Sequence, residues 1–571
     1  AEALRHALAA GEWDDATELL VTRWPDLAPD EPTRTAAPTP PALSALPAPP
    51  VLSALPTLSA EDAAGTAAPA PPEPSAEAVR RDPELALAAA AERAYAGDPD
   101  AAAGQLRRAV AHAGELPAPR RDRFRRLATA IELSLARLTG NHEEVRRAAD
   151  RLLATLPDAA PAAGGVDPRA GVDADDVRAV AGAAQGLVAL AAGELSAAGT
   201  RFAAALAAAR RVGRPRTELL CASRTALLEA ARGALRSAEE HALAALAMPP
   251  CQGWSSRSDC GHAYLALALV AWHRDRPAEA AAHLALAGPA GAEPGGAALA
   301  ALCRAGLLAD AGEPAAALRV LAAARAVAPG PELGAWLTAG EAQLRATVGD
   351  RDGARALLDA AGDGDPPDPA LALVAARLRL GAGDARAAER TLPDWRGPGA
   401  RDWPLPVRLD AGLLDAALAG AGGDVRRAGR LLEEALALAE PEGCRRVFVR
   451  AEPGVRDLLA THLDAGTAYW ATVHDLLRDV DARQQIGNGR QQAGDARQWV
   501  GGAPEGPAEP LTERELTILR YLQSILSNVE IAAELSLSVN TVKTHVRNIY
   551  RKLDATRRRE AVRRARELRL I

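Results

Sequence analysis

Along most of this chain, apolar residues recur at three- and four-residue intervals, the spacing that lines one face of an α-helix. The stripes come in pairs. An Ala-rich run ends at a short turn holding Gly or Asp, and a second run with A-x-x-L/A-L spacing follows. The phrases AAGEWDDATELL (9–20), YAGDPDAAAGQL (95–106), LTGNHEEVRRAADRLL (138–153) and AAGELSAAGTRF (191–202) set the pattern. EAARGALRSAEEHA (229–242), WHRDRPAEAAAHL (272–284), ADAGEPAAALRVL (309–321), TVGDRDGARALL (347–358), GAGDARAAERTL (381–392) and GAGGDVRRAGRLLEEAL (420–436) continue it.

The turns recur at Gly97, Gly140, Gly193, Gly233, Asp275, Gly312, Gly349, Gly383 and Gly423, mostly 34 to 43 residues apart. One longer step, of 53 residues, holds a Pro/Gly/Asp-rich loop around 157–173. A two-helix unit of this period marks tetratricopeptide-like or related α-solenoids, where each pair leaves an apolar face that the next pair covers. A plain bundle with chance spacing is the weaker account of so many recurrences.

Two stretches break the pattern. Residues 26–80 are dominated by Pro, Ala, Thr and Ser, and LSALP occurs twice, at 43–47 and 52–56. Pro at that density prevents a continuous helix, and large apolar groups are too few for a core, so a mostly disordered insertion with at most short helical turns is expected. Residues 484–510, rich in Gly, Gln and Pro, read as a flexible linker in which Trp499 is as readily exposed as docked. The organisation expected is therefore first repeat elements at 1–25, the insertion at 26–80, helical repeats at 81–470, the linker at 484–510 and a last domain at 507–571.

That last domain shows helix starts in quick succession. Thr512 and Glu515 form a capping box, as do Ser527 and Glu530, and Ser538 caps a third helix from about Val539. Leu516, Ile518, Leu519 and Leu522 face inward from the first helix; Ile531, Ala532 and Leu535 do so from the second. A connection of about two residues between the second and third helices fixes them at the steep angle of a helix-turn-helix, with the third as recognition element. On it, Val542, Val546, Ile549 and Leu553 share one apolar stripe, and Asn540, Lys543, Thr544, Arg547 and Arg551 share the opposite one. Cations, an amide and a Thr methyl, with no acid among them, suit the base edges of a major groove. Thr541, beside the helix start, suits phosphate. His545 borders the core as a packing residue. A final helix after Thr556 carries Ala561, Val562, Ala565 and Leu568 on one face, for packing and for a dimer contact. Arg557 to Arg559 are as readily solvated as bound to phosphate.

Charge agrees with this division. Residues 511–571 carry 13 Lys and Arg against 7 Asp and Glu, a balance of +6, which leaves −13 for the rest of a chain of net charge −7. A basic tail on an acidic body suits a polyanionic partner. The chain's two lysines, Lys543 and Lys552, both lie in the tail. A phosphate-binding P-loop and a kinase core each need a lysine that the body therefore lacks. Paired carboxylates, G-x-S-x-G and H-E-x-x-H are also missing, so no enzyme is expected in this chain.

Five cysteines (Cys221, Cys251, Cys260, Cys303, Cys444), odd in number and widely spaced, read as small buried thiols of a reducing, cytoplasmic protein. Cys251, Cys260 and His262 lack a suitably spaced fourth ligand for a metal. No apolar run of membrane-spanning length occurs.

The sequence LTERELTILRYLQSILSNVEIAAELSLSVNTVKTHVRNIYRKL resembles the LuxR-type (GerE-type) DNA-binding domain over nearly all of 511–571. Ile525, Asp554 and Arg569 stand where members commonly carry Gly, which touches local turns. The resemblance implies a third helix in the major groove, with Lys543, Thr544 and Arg547 near bases and Thr541 near the backbone, and a fourth helix supporting dimerisation. Repeats followed by EEALALAEPEGCRRVFVRAEPGVRDLLATHL (433–463), a linker and this domain resemble the MalT-like large ATP-binding LuxR regulators. In those an ATPase precedes the repeats. With no Met at its start, this chain is expected to be a piece of a longer protein.

The expected fold class is all-α, a tetratricopeptide-like solenoid followed by a small helix-turn-helix domain. The expected function is sequence-specific regulation of transcription, with double-stranded DNA and RNA polymerase as partners, an inducer or protein partner on the repeats, and no cofactor in this chain. The alternative is a helical-repeat interaction scaffold in which DNA binding is minor. A response regulator would need a receiver domain with its lysine and parallel sheet, which the body does not offer.

Overall fold

The structure is a computed structural model. It describes residues 2–27, 74–156, 168–249, 257–288, 290, 293–328, 330–362 and 367–480, then positions 515, 518, 519, 522, 531, 532, 539–553, 555 and 558–567. The centre of the Pro-rich stretch, residues 157–167 of the loop expected around 157–173, the expected linker with Trp499, and the caps expected at Thr512, Ser527 and Ser538 lie outside the described residues. The contacts divide the chain into two units, Ala1–Val480 and Asp481–Ile571.

Among the described residues every regular element is a helix. In the first unit they form hairpins, beginning with Glu2–Ala10 and Trp13–Leu27, then Glu84–Tyr95 and Pro99–His112, and so on to Leu405–Ala421 and Val425–Ala439. The nine turn positions named from the sequence all adopt left-handed backbone, with φ between 61° and 92°. In each, the N–H after the turn residue bonds the carbonyl five residues earlier at 2.8–3.1 Å, which satisfies carbonyls at the helix end. Asp98, Asn141, Asp350, Asp384 and Asp424 then cap the second helix through their side chains. One dipeptide, Gly followed by Asp or Asn, thus ends one helix and starts the next.

Small residues let the pairs approach. Alanines fill the contacts between helices, and a Cβ at Gly186 would meet the ring of Phe202 at 2.6 Å. Phe202 is one of the largest fully buried side chains. Loss of that side chain's apolar burial would cost about 3–5 kcal/mol.

Several helices extend beyond the expected limits. Ser75 accepts a hydrogen bond from Ala78 N and caps a helix, Ala76–Arg81, at the end of the insertion, where Val79 is buried. The helix Pro168–Ala191 starts inside the stretch read as loop; Pro at a helix start has its φ already set. Helical structure also continues over 470–480.

In the second unit, Val539–Lys552 and Arg558–Glu567 are helical. Ile518, Leu519, Leu522, Ile531 and Ala532 pack with them in one core. Arg564 donates to the carbonyl of Leu553 at 2.9 Å, past the end of the first of these helices.

Cys260 is disulfide-bonded, whereas Cys221, Cys303 and Cys444 are buried thiols. This corrects the reading of all five cysteines as thiols. Count and spacing carry no record of which cysteines folding brings together. Among the described residues no helix is long and apolar enough to cross a membrane.

Candidate functional site

In the helix Val539–Lys552, Val542, Val546, Ile549 and Leu553 are buried, as the apolar stripe requires. Lys543 and Arg547 are exposed. They stand four residues apart, so they lie one above the other on one face. The first turn of this helix holds no acid. Its N-terminal dipole therefore adds to the attraction for phosphate. Asn540, Thr541, Thr544 and Arg551 belong to the same helix, but their side chains lie outside the described residues. His545 is half-buried and its Nδ1 is buried without a hydrogen-bond partner.

The outer face depends on what holds the helix from behind. Lys552 donates to Glu515 at 2.9 Å. Ala561 and Ala565 of the following helix are buried against the same core, and Val562 packs at its margin.

The first unit presents a second site. The stretch 441–452 runs back across turns far upstream. Arg236 bonds the carbonyl of Pro441 at 2.7 Å, and the Arg445 N–H bonds the carbonyl of His273 at 3.0 Å. Arg446 pairs with Asp310 at 2.6 Å and lies over the ring of Trp272, 4.7 Å from its centre. Arg377 joins Asp410 at 2.5 Å and Glu452 at 2.5 Å. Burial alone would lower the pKa of Arg377; Asp410 and Glu452 together raise it, so the guanidinium stays charged. Burial, with the nearby charge of Arg446, pushes the pKa of His273 down to about 3, so its ring is neutral. These groups surround a cavity of about 570 Å³ whose walls include Leu299, Trp336, Leu373 and Val407.

Comparison with known proteins separates the same two parts. Residues 509–565 match the family described as bacterial regulatory proteins, luxR family. Residues 128–465, more than half of the chain, match the MalT-like TPR region. The chain belongs to the MalT-like family of LuxR-type regulators. It is similar to the HTH-type transcriptional regulator MalT of Vibrio cholerae, 30% identical over 201 residues, which are 34% of this chain and 22% of that protein. MalT of Cronobacter sakazakii is 31% identical over 201 residues, again 34% and 22%. MalT of Serratia proteamaculans is 48% identical over 59 residues, 10% of this chain and 6% of that protein. The chain thus matches under a quarter of the length of these relatives. Neither matched region is enzymatic.

Sequence reasoning found the buried stripe and the exposed Lys543 and Arg547, but gave Glu515 only a capping role. The signal for its partner was present: Lys552 is one of two lysines in a chain that otherwise uses Arg. The cavity had no such signal.

Proposed function

We propose that the chain is a sequence-specific regulator of transcription whose helix Val539–Lys552 reads the major groove, while the repeats sense a small molecule or a protein. The observation that carries this reading is the pair of exposed cations, Lys543 and Arg547, one turn apart on a helix whose other face is buried. Arg547 contacts a base edge, and Asn540, Thr544 and Arg551 share the groove with it. Lys543 is a second base contact, and Thr541 meets the sugar-phosphate backbone. The fourth helix, Arg558–Glu567, supports a dimer on DNA. Recruitment of RNA polymerase follows, in the cytoplasm, and DNA binding needs no cofactor held by this chain.

The test is binding of the full chain to DNA from upstream of its own gene, against random duplex, over a range of salt. Specific affinity should fall steeply with salt through counterion release. Arg547→Ala should cost about 1–3 kcal/mol on the specific site and relax discrimination there. Equal affinity for both duplexes in wild type, or an unchanged Arg547→Ala variant, would remove the base-reading assignment.

A further inference from the structure

The cavity in the repeats has a chemistry that narrows what it holds. At about 570 Å³ it is large enough for a ligand of drug-like size. Its walls come from helices separated by more than a hundred residues in sequence, among them Trp272, Leu299, Trp336, Leu373 and Val407. Its charges are already matched. Arg377 is shared by Asp410 and Glu452, and Arg446 is held by Asp310. Arg450 pairs with the same Asp310. Burial keeps the imidazole of His273 neutral. A charged ligand would have to break one of these pairs or enter without a counter-charge, and both are unfavourable out of water.

The lining residues also hold unpaired polar atoms, two acceptors and one donor, Trp272 Nε1. Gln343 Oε1 and Glu452 Oε2 are buried, and neither has a hydrogen-bond partner. Buried acceptors left unpaired are costly, and a donor on a ligand would relieve them. A molecule crowded with hydroxyls would bring more polar groups than this mostly apolar wall can pair.

We propose that the cavity binds an uncharged, predominantly apolar small molecule that carries a hydrogen-bond donor, with Gln343 as the acceptor that selects it. This rests on the reading of the repeats as a sensor and names the chemical class sensed. Glu452 and Arg446 belong to the stretch 441–452, so a ligand in the cavity touches a segment that is anchored on turns 136 to 206 residues upstream.

The full chain is titrated with N-phenylnaphthylamine, an uncharged fluorescent amine with one N–H, and with anilinonaphthalene sulfonate, a related body bearing an anion. One neutral probe per chain should bind, about tenfold or more tighter than the sulfonate. Val374→Trp, which fills the cavity, should weaken the neutral probe about tenfold or more. Gln343→Leu, close in volume and independent of that overpacking, should weaken it severalfold and leave its N-methylated derivative unchanged. Circular dichroism checks that each variant folds.

Tighter or equal binding of the sulfonate overturns the proposal. So does full retention of the neutral probe by a folded Val374→Trp variant, or equal sensitivity of both amines to Gln343→Leu. DNA affinity measured with saturating neutral probe separates the two claims. Cavity binding that leaves DNA affinity unchanged upholds the cavity and defeats sensing through this class of ligand. An added small molecule that shifts DNA affinity equally in wild type and Val374→Trp upholds sensing and defeats the cavity.

Discussion

Lys552 reaches across 37 residues of sequence to donate a hydrogen bond to Glu515 at 2.9 Å, and the two side chains are only 6% and 4% exposed. The pair ties the end of the helix that carries Lys543 and Arg547 to the start of the domain. An ion pair so withdrawn from water is sensitive to loss of one member. Removing one partner of a buried ion pair costs about 3–5 kcal/mol.

Lys552→Met should therefore destabilise the second unit by about 3–5 kcal/mol, whereas the double change Glu515→Leu with Lys552→Met should recover most of that. Hydrogen exchange of the full chain, followed over 539–567, reads this locally. Equal loss of protection in the single and double variants would show that the pair matters for shape and not for charge. Recovery in the double variant would assign the loss to the buried charge of Glu515 deprived of Lys552.

The turns between helices give a second contrast. Gly349 has φ +92° with open space where a Cβ would be. Gly233 has φ +85°, and a Cβ there would stand 2.7 Å from both Leu405 Cβ and Pro406 Cδ. Gly349→Ala should cost about 1–2 kcal/mol, the backbone penalty alone. Gly233→Ala should cost about 1–3 kcal/mol more, because it also forces apart two hairpins that are distant in sequence. Chemical denaturation followed by tryptophan fluorescence reads both. Similar losses at the two positions would mean that the hairpins separate freely and that the contact at Leu405 contributes little.

These turns explain what was legible in the sequence. A left-handed helix end needs Gly, or Asp at some cost, so Gly97 and Asp275 announce themselves wherever the chain reverses. The buried stripe of Val542, Val546, Ile549 and Leu553 follows from helical periodicity in the same way. Both are local properties. The cavity is not local: Trp272, Trp336, Val407 and Glu452 come together only after several hairpins have stacked. Arg446 and Asp310, 136 residues apart, carry no mutual mark in the sequence. Nor did the expected thiol at Cys260 reveal its disulfide. Long-range pairings of this kind depend on how the repeats coil, which periodicity leaves open.

His273 shows how the stacked repeats change one group's chemistry. Its ring lies 4.8 Å from that of Trp272, and burial, followed by the charge of Arg446, pushes its pKa from 6.5 down to about 3. The unfolded chain takes up a proton on this imidazole as pH falls through about 6.5, while the folded chain does not until about 3. The unfolded state then binds more protons, so stability falls as pH drops across that window. Between about pH 7.5 and 5.5, this single group should remove about 1.4 kcal/mol. His273→Gln lacks the titration. The stability difference between wild type and variant should therefore shift by about that amount, against wild type, over the same interval. Denaturant curves at several pH values, read by the repeat tryptophans, measure it. Parallel pH dependence in the two proteins would mean that His273 titrates in the folded repeats as it does in the unfolded chain, its imidazolium tolerated in spite of burial and the charge of Arg446.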